Sequence, residues 1–116
     1  MEKLQDSKLK MMLLELVDML QQVYSSKLKA VILYGSVVRG IATSESDIDI
    51  MVLVDGNNQE LHLFEDKLSD ISTDLSIKYS KVLSIIDISY QEYIRWVKVL
   101  PFYRNVSEEG VVLYTA

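Results

Sequence analysis

The run Asp47-Ile48-Asp49-Ile50-Met51-Val52-Leu53-Val54 constrains the fold more than any other stretch of the chain. Side chains along a strand alternate between its faces. Ile48, Ile50, Val52 and Val54 therefore form one wholly apolar face, and Asp47, Asp49, Met51 and Leu53 form the other. Such a strand is expected to lay its apolar face on the main core and to carry its two carboxylates at one end of the opposite face. Leu28 to Tyr34, rich in branched residues and ended by Gly35, reads as a second buried strand. Val82 to Ser89 reads as a third, and Val111 to Tyr114 as a terminal edge strand. Between these runs the apolar period changes. Leu9, Met12, Leu13, Leu16, Val17, Leu20 and Val23 recur at helical spacing, which predicts an amphipathic helix over roughly residues 3–25. Leu61, Phe64, Leu68, Ile71, Leu75 and Tyr79 predict one long second helix after a turn at 55–58. Residues 37–43 suit a short helical turn followed by a loop at 43–46. Residues 91–100 read as helix, Pro101 suits the first turn of another, and Gly110 suits its end. The order helix, strand, strand, helix, strand, helix, helix, strand predicts an α/β or α+β sandwich, a mixed sheet of three or four strands flanked by helices.

At 116 residues and 49% apolar content, residues 1–116 are expected to form a single domain with a substantial core. The most apolar N-terminal stretch, Met11 to Leu20, is interrupted by Glu15 and Asp18, so neither a membrane span nor a signal-peptide core is expected. Absence of cysteine removes disulfides and thiolate metal sites and is consistent with a reducing cytoplasm. A net charge of −5 argues against a nucleic-acid footprint, since phosphate backbones are gripped by basic patches. It favours instead a basic protein partner. His62 lies off the second helix's apolar stripe and has no second histidine to work with, so a solvated helix residue is expected there.

The chemistry is concentrated at strand boundaries. A Gly-Ser turn after a strand, here Gly35-Ser36, can wrap a phosphate with backbone N–H groups and a hydroxyl. Ten residues later Asp47 and Asp49 project from one face. Two carboxylates side by side repel unless cations lie between them, and hard oxygen ligands suit Mg²⁺ holding a triphosphate. A phosphate cradle with paired metal ligands is the equipment of nucleotidyl transfer. Such transfer also needs a base for the attacking hydroxyl or a further metal ligand, and Asp87 is the candidate. A carboxylate in the middle of an apolar strand costs several kcal/mol, roughly, to bury without a cation or hydrogen bonds. The competing reading is an edge-strand Asp87 facing water, because the residues around it do not alternate cleanly.

The segment Gly35-Ser36-x10-Asp47-x-Asp49, with Arg39-Gly40 and Ser46 between, resembles the signature of the polymerase-beta-type nucleotidyltransferase superfamily. In its small size and its ending, Pro-Phe-Tyr-Arg-Asn-Val-x-x-Glu-Gly-Val-Val-Leu-Tyr over 101–114, the chain is similar to the minimal nucleotidyltransferases of bacteria and archaea. That resemblance implies a polymerase-beta-like fold, two Mg²⁺ ions and ATP as nucleotide donor. By motif match, Asp47, Asp49 and Asp87 would be catalytic metal ligands, Gly35 and Ser36 would hold the β- and γ-phosphates, and Arg39 would stand at the nucleotide. It further implies a helical HEPN-type ribonuclease toxin as partner. The chain would be the antitoxin, moving AMP onto a toxin tyrosine. Little of so short a chain is left to enclose a second substrate, which also favours a macromolecular acceptor. Two other functions compete: a catalytically inert antitoxin that blocks its partner by contact alone, and a transferase for a small molecule such as an aminoglycoside.

Overall fold

The computed structural model describes residues 6–43 and 46–116. The first residues of the expected N-terminal helix, 3–5, and loop residues 44 and 45 lie outside the described residues.

Helix α1 spans Ser7–Tyr24. Asp6 caps it, its carboxylate accepting from the N–H groups of Lys8 (2.9 Å) and Leu9 (3.2 Å), which satisfies donors that a helix start otherwise leaves open. Leu9, Met12, Leu13, Leu16, Leu20 and Tyr24 are its buried residues. A 3-10 turn over Ser25–Lys27 leads into β1, Leu28–Tyr34. A four-residue helix α2, Ser36–Arg39, follows, and then β2, Ile48–Val54. The expected long second helix is two: α3, Asn58–His62, and α4, Glu65–Tyr79. Its apolar stripe survives the break because Phe64 turns onto the Tyr24 ring, with centroids 4.8 Å apart. Strand β3, Leu83–Ser89, runs directly into α5, Tyr90–Trp96. That helix ends earlier than its composition suggests. Pro101 brings no N–H and pushes Leu100 to extended backbone (φ −82°, ψ 122°), so residues 97–100 form a turn before α6, Pro101–Glu109. Strand β4, Val111–Thr115, closes the described chain.

The four strands make one sheet in the order β3-β2-β1-β4. β1 is antiparallel to both β2 and β4, while β2 and β3 are parallel, joined by the helical crossover that a parallel pair requires. β4 and β3 are the edges, so the terminal strand lies where it was expected. Helices cover both faces. Leu13, Leu16, Leu20, Val31, Leu33, Ile50, Val52 and Leu75 belong to the larger core under α1 and α4. On the other side Ile32, Met51, Leu53, Tyr93 and Val106 form a smaller core under α5 and α6. The mixed α+β sheet flanked by helices follows from β2, which has an apolar surface on both sides and is buried from Ile50 to Val54.

Candidate active site

The end of β1 and the start of β2, consecutive strands of the chain, meet at one end of the smaller core. Tyr34, the last residue of β1, is the register partner of Asp49 on β2, so the turn after Tyr34 lies directly beside that carboxylate. Gly35 adopts φ +82° and ψ −153°, a region essentially reserved for glycine. A Cβ built there would collide with Asp49 Oδ2. Glycine is thus required twice at this position, by backbone conformation and by the close approach of a carboxylate.

Beyond Gly35 the chain makes the single turn of α2, fastened by Arg39 N–H to Gly35 O (3.2 Å) and Ile41 N–H to Ser36 O (3.2 Å). The first N–H groups of such a turn have no acceptor within it. Among the described residues the Ser36 hydroxyl is engaged in no hydrogen bond, so both kinds of donor are available to an anion. Arg39 Nε binds Glu109 Oε2 of α6 at 3.2 Å, with both side chains about half exposed. This pair tethers the turn to α6 and leaves the terminal guanidinium nitrogens unengaged.

Asp47 is exposed, just ahead of β2, and Asp49 is half-buried. Burial raises the Asp49 pKa above the ordinary carboxylate range, and the Asp47 charge raises it further. Such a pair gains from a bound cation. The donors also fit one: hard carboxylate oxygens facing a turn with free N–H groups are what a divalent ion on a polyphosphate requires. Burial followed by the Asp49 charge likewise raises the pKa of Tyr34.

Asp87 is not part of this arrangement, and the expectation that it supplies the third carboxylate is corrected by the register. Asp49 pairs with Ser84, whereas Asp87 pairs with Val52. Paired residues share a face, so Asp87 points to the α1/α4 side, opposite Asp49, and lies three residues farther along, about 10 Å. There it lines an open cleft of about 250 Å³ with Asn58, Leu61, His62 and Glu65. Among the described residues no group of three or more His, Cys, Asp or Glu is placed to hold a metal ion. The physical reason lies in β3 being an edge. Its residues 84–88 are all half-buried, so no apolar alternation reveals which face each side chain takes. Ser84, the residue opposite Asp49, was missed because serine in a strand carries no signal of its own. His62, as expected, is largely exposed and pairs with Glu65 on the next helix at 2.8 Å.

Comparison with known proteins agrees with this fold. The family model described as Polymerase beta, Nucleotidyltransferase matches residues 15–116. A Methanocaldococcus jannaschii protein named "Putative protein adenylyltransferase MJ0604" is 39% identical over 103 residues, covering 86% of this chain and 92% of its own length. A second from that organism, "Putative protein adenylyltransferase MJ1379", is 44% identical over 61 residues, 47% of this chain and 61% of its own. In fold, the chain is similar to a crystal structure of the MntA-HpeT toxin-antitoxin mutant at TM-score 0.57 and 17% identity, over 90% of this chain and 73% of that one. It is similar also to a toxin-antitoxin crystal structure with AMP-PNP at TM-score 0.53 and 19% identity, over 88% and 73%.

Proposed function

The chain belongs to the polymerase beta nucleotidyltransferase family, and on that premise we propose that it moves AMP from ATP onto a hydroxyl of a partner protein. The observation that carries the reading is the packing of Gly35 against the Asp49 carboxylate, which makes the phosphate turn and the carboxylate pair one site. The 39% identity to a relative named as a protein adenylyltransferase supports a protein acceptor. The fold likeness to toxin-antitoxin complexes supports a toxin as the protein that carries it. A tyrosine of a HEPN-type ribonuclease is the acceptor that the family resemblance favours.

Each residue then has a defined task. Ser36 donates its hydroxyl, and the turn its open N–H groups, to the terminal phosphates. Arg39, held by Glu109, keeps the turn against α6 and presents its remaining guanidinium nitrogens to the nucleotide side. Asp47 and Asp49 hold the divalent cation that accompanies ATP, Mg²⁺ in the cytoplasm where this chain is proposed to act. That ion supplies charge neutralisation on the phosphates and the leaving pyrophosphate. The acceptor hydroxyl gives up its proton to solvent as its oxygen attacks the α-phosphorus, the bond from that phosphorus to the bridging oxygen breaks, and pyrophosphate departs. A tyrosine suits a site with two carboxylates rather than three, because a phenol starts from a pKa of about 10 and asks less of a base. The protein contributes positioning and electrostatic stabilisation.

A second reading, an inert antitoxin that acts by contact, is favoured by one observation: Ser84 and not a carboxylate stands opposite Asp49. One experiment separates the two. The protein is incubated with a candidate HEPN-type toxin, Mg²⁺ and ATP labelled at either the α- or the γ-phosphate. Transfer of α-label alone, onto tyrosine, is the expected result. Transfer of γ-label would make the chain a kinase, and tight complex formation with no label of either kind would establish the inert reading.

A further inference from the structure

The segment joining α5 to α6 is unusual for this molecule. Ile94, Trp96, Val99, Leu100 and Phe102 are 55%, 42%, 63%, 42% and 45% exposed within nine residues. Large apolar side chains crowded at the surface mark an interaction site more often than chance. They are not a frayed loop, for Val99 and Leu100 N–H both bond to Trp96 O (2.9 and 2.8 Å) and Arg104 N–H bonds to Leu100 O (3.0 Å). From beneath, Tyr93, Val97 and Tyr103 anchor the segment in the smaller core.

Its charge opposes that of the chain. Net charge is −5 overall, yet residues 94–104 contain Arg95, Lys98 and Arg104 and no Asp or Glu. All three cations are exposed, and among the described residues none forms an ion pair. Aromatic and Arg side chains are the types that dominate binding at protein interfaces. The patch is also continuous with the site. Phe102 packs edge-on against Tyr34, centroids 5.6 Å apart, and Tyr34 is the register partner of Asp49. A surface that begins one side chain from the carboxylate pair is placed to hold what the site acts upon.

We propose that the 94–104 segment is the docking surface for the acceptor protein, and that it takes an apolar stretch rimmed by acidic side chains. This rests on the transfer reading above, which requires a macromolecular acceptor beside Asp49. The composition of the whole chain suggests a basic partner, but the surface nearest the site selects an acidic one. Anionic membranes and nucleic acids meet the same three cations, but neither carries a phenol beside its negative charge, whereas an acidic protein offers the charge and a tyrosine acceptor together.

Trp96 is the only tryptophan, so its emission reports docking without any labelling. The acidic tyrosine copolymer poly(Glu,Tyr) serves as probe and N-acetyltyrosinamide as an acceptor too small to reach the patch. The copolymer is expected to shift Trp96 emission and to accept label from α-labelled ATP. The exposed triple variant R95E/K98E/R104E is expected to weaken both by about tenfold or more, with transfer to N-acetyltyrosinamide unchanged and docking retained in the charge-conserving variant R95K/R104K. Copolymer binding and transfer undiminished in the charge-reversed variant would overturn the proposal. So would tighter binding to oligouridylate, or to phosphatidylglycerol–phosphatidylcholine vesicles, than to the copolymer. Docking that senses the three charges without transfer to either acceptor would support the surface and refute the transfer reading.

Discussion

At the scale of the residue, Gly35 and Asp49 define one another. The glycine has the conformation an L side chain avoids and the space that the carboxylate fills. Gly35→Ala should therefore destabilise the fold by about 1–3 kcal/mol in chemical denaturation, and the displaced Asp49 should lower Mg·ATP affinity in the same variant. Unaltered denaturation would show that the turn tolerates a Cβ. The carboxylates make the opposite prediction for stability. The pKa of Asp49 is raised in the fold by burial and by Asp47. Its favourable contribution thus exists at low pH, below its unfolded value of about 3.9, and is lost as pH rises through the folded value. At neutral pH without metal, the Asp47→Asn, Asp49→Asn double variant should melt at the same or a higher temperature than wild type. A lower melting point would mean the carboxylates serve the fold and not a ligand.

At the scale of the element, what was legible in the sequence depended on burial. β2 is apolar on both faces because both are covered, so only its two carboxylates break the run, and their spacing of two assigns them to one face and one end from residue types alone. The turn at Gly35-Ser36 was legible for the same reason, since β1 is an interior strand with a sharp stop. β3 is an edge whose residues 84–88 are all half-buried, and nothing in Leu83-Ser84-Ile85-Ile86-Asp87-Ile88 sets its register. Only the pairing of Asp49 with Ser84 does. The division of the second helix was hidden because Phe64 keeps the apolar stripe intact across the break. An inward-leaning charge on an edge strand is a known guard against pairing with another chain, and Asp87 suits that role. Asp87→Val should leave nucleotide binding intact and increase self-association in sedimentation velocity. A variant that stays as dispersed as wild type would remove the guard interpretation.

At the scale of the whole molecule, the two helical layers meet through the sheet with few buried polar groups, and Ser89 is the buried polar residue among those described. Tyr24 leaves a polar atom unmatched in the larger core. Its side chain is buried, and its hydroxyl has no hydrogen-bond partner among the described residues. Burial raises its pKa strongly, with the Asp87 charge adding to the effect. Above pH about 10 the unfolded tyrosine ionises first, so the stability Tyr24 contributes below that pH is lost as pH rises toward its folded value. Tyr24→Phe should add about 1–3 kcal/mol by removing an unsatisfied buried hydroxyl, and should make the alkaline fall in stability shallower. Tyr34 and Tyr103, also raised by burial, keep it from vanishing. An unchanged alkaline slope would show that Tyr24 does not govern it.

The mechanism turns on which carboxylates face the nucleotide. Asp49→Asn and Asp87→Asn remove one negative charge each, from opposite faces of the same sheet. The decisive measurement is Mg²⁺-dependent transfer of α-labelled AMP to the acceptor by the two variants side by side, with folding checked by denaturation. Asp49→Asn should abolish transfer, and Asp87→Asn should retain the wild-type rate. Loss of transfer in Asp87→Asn, or its survival in Asp49→Asn, would contradict the site described here.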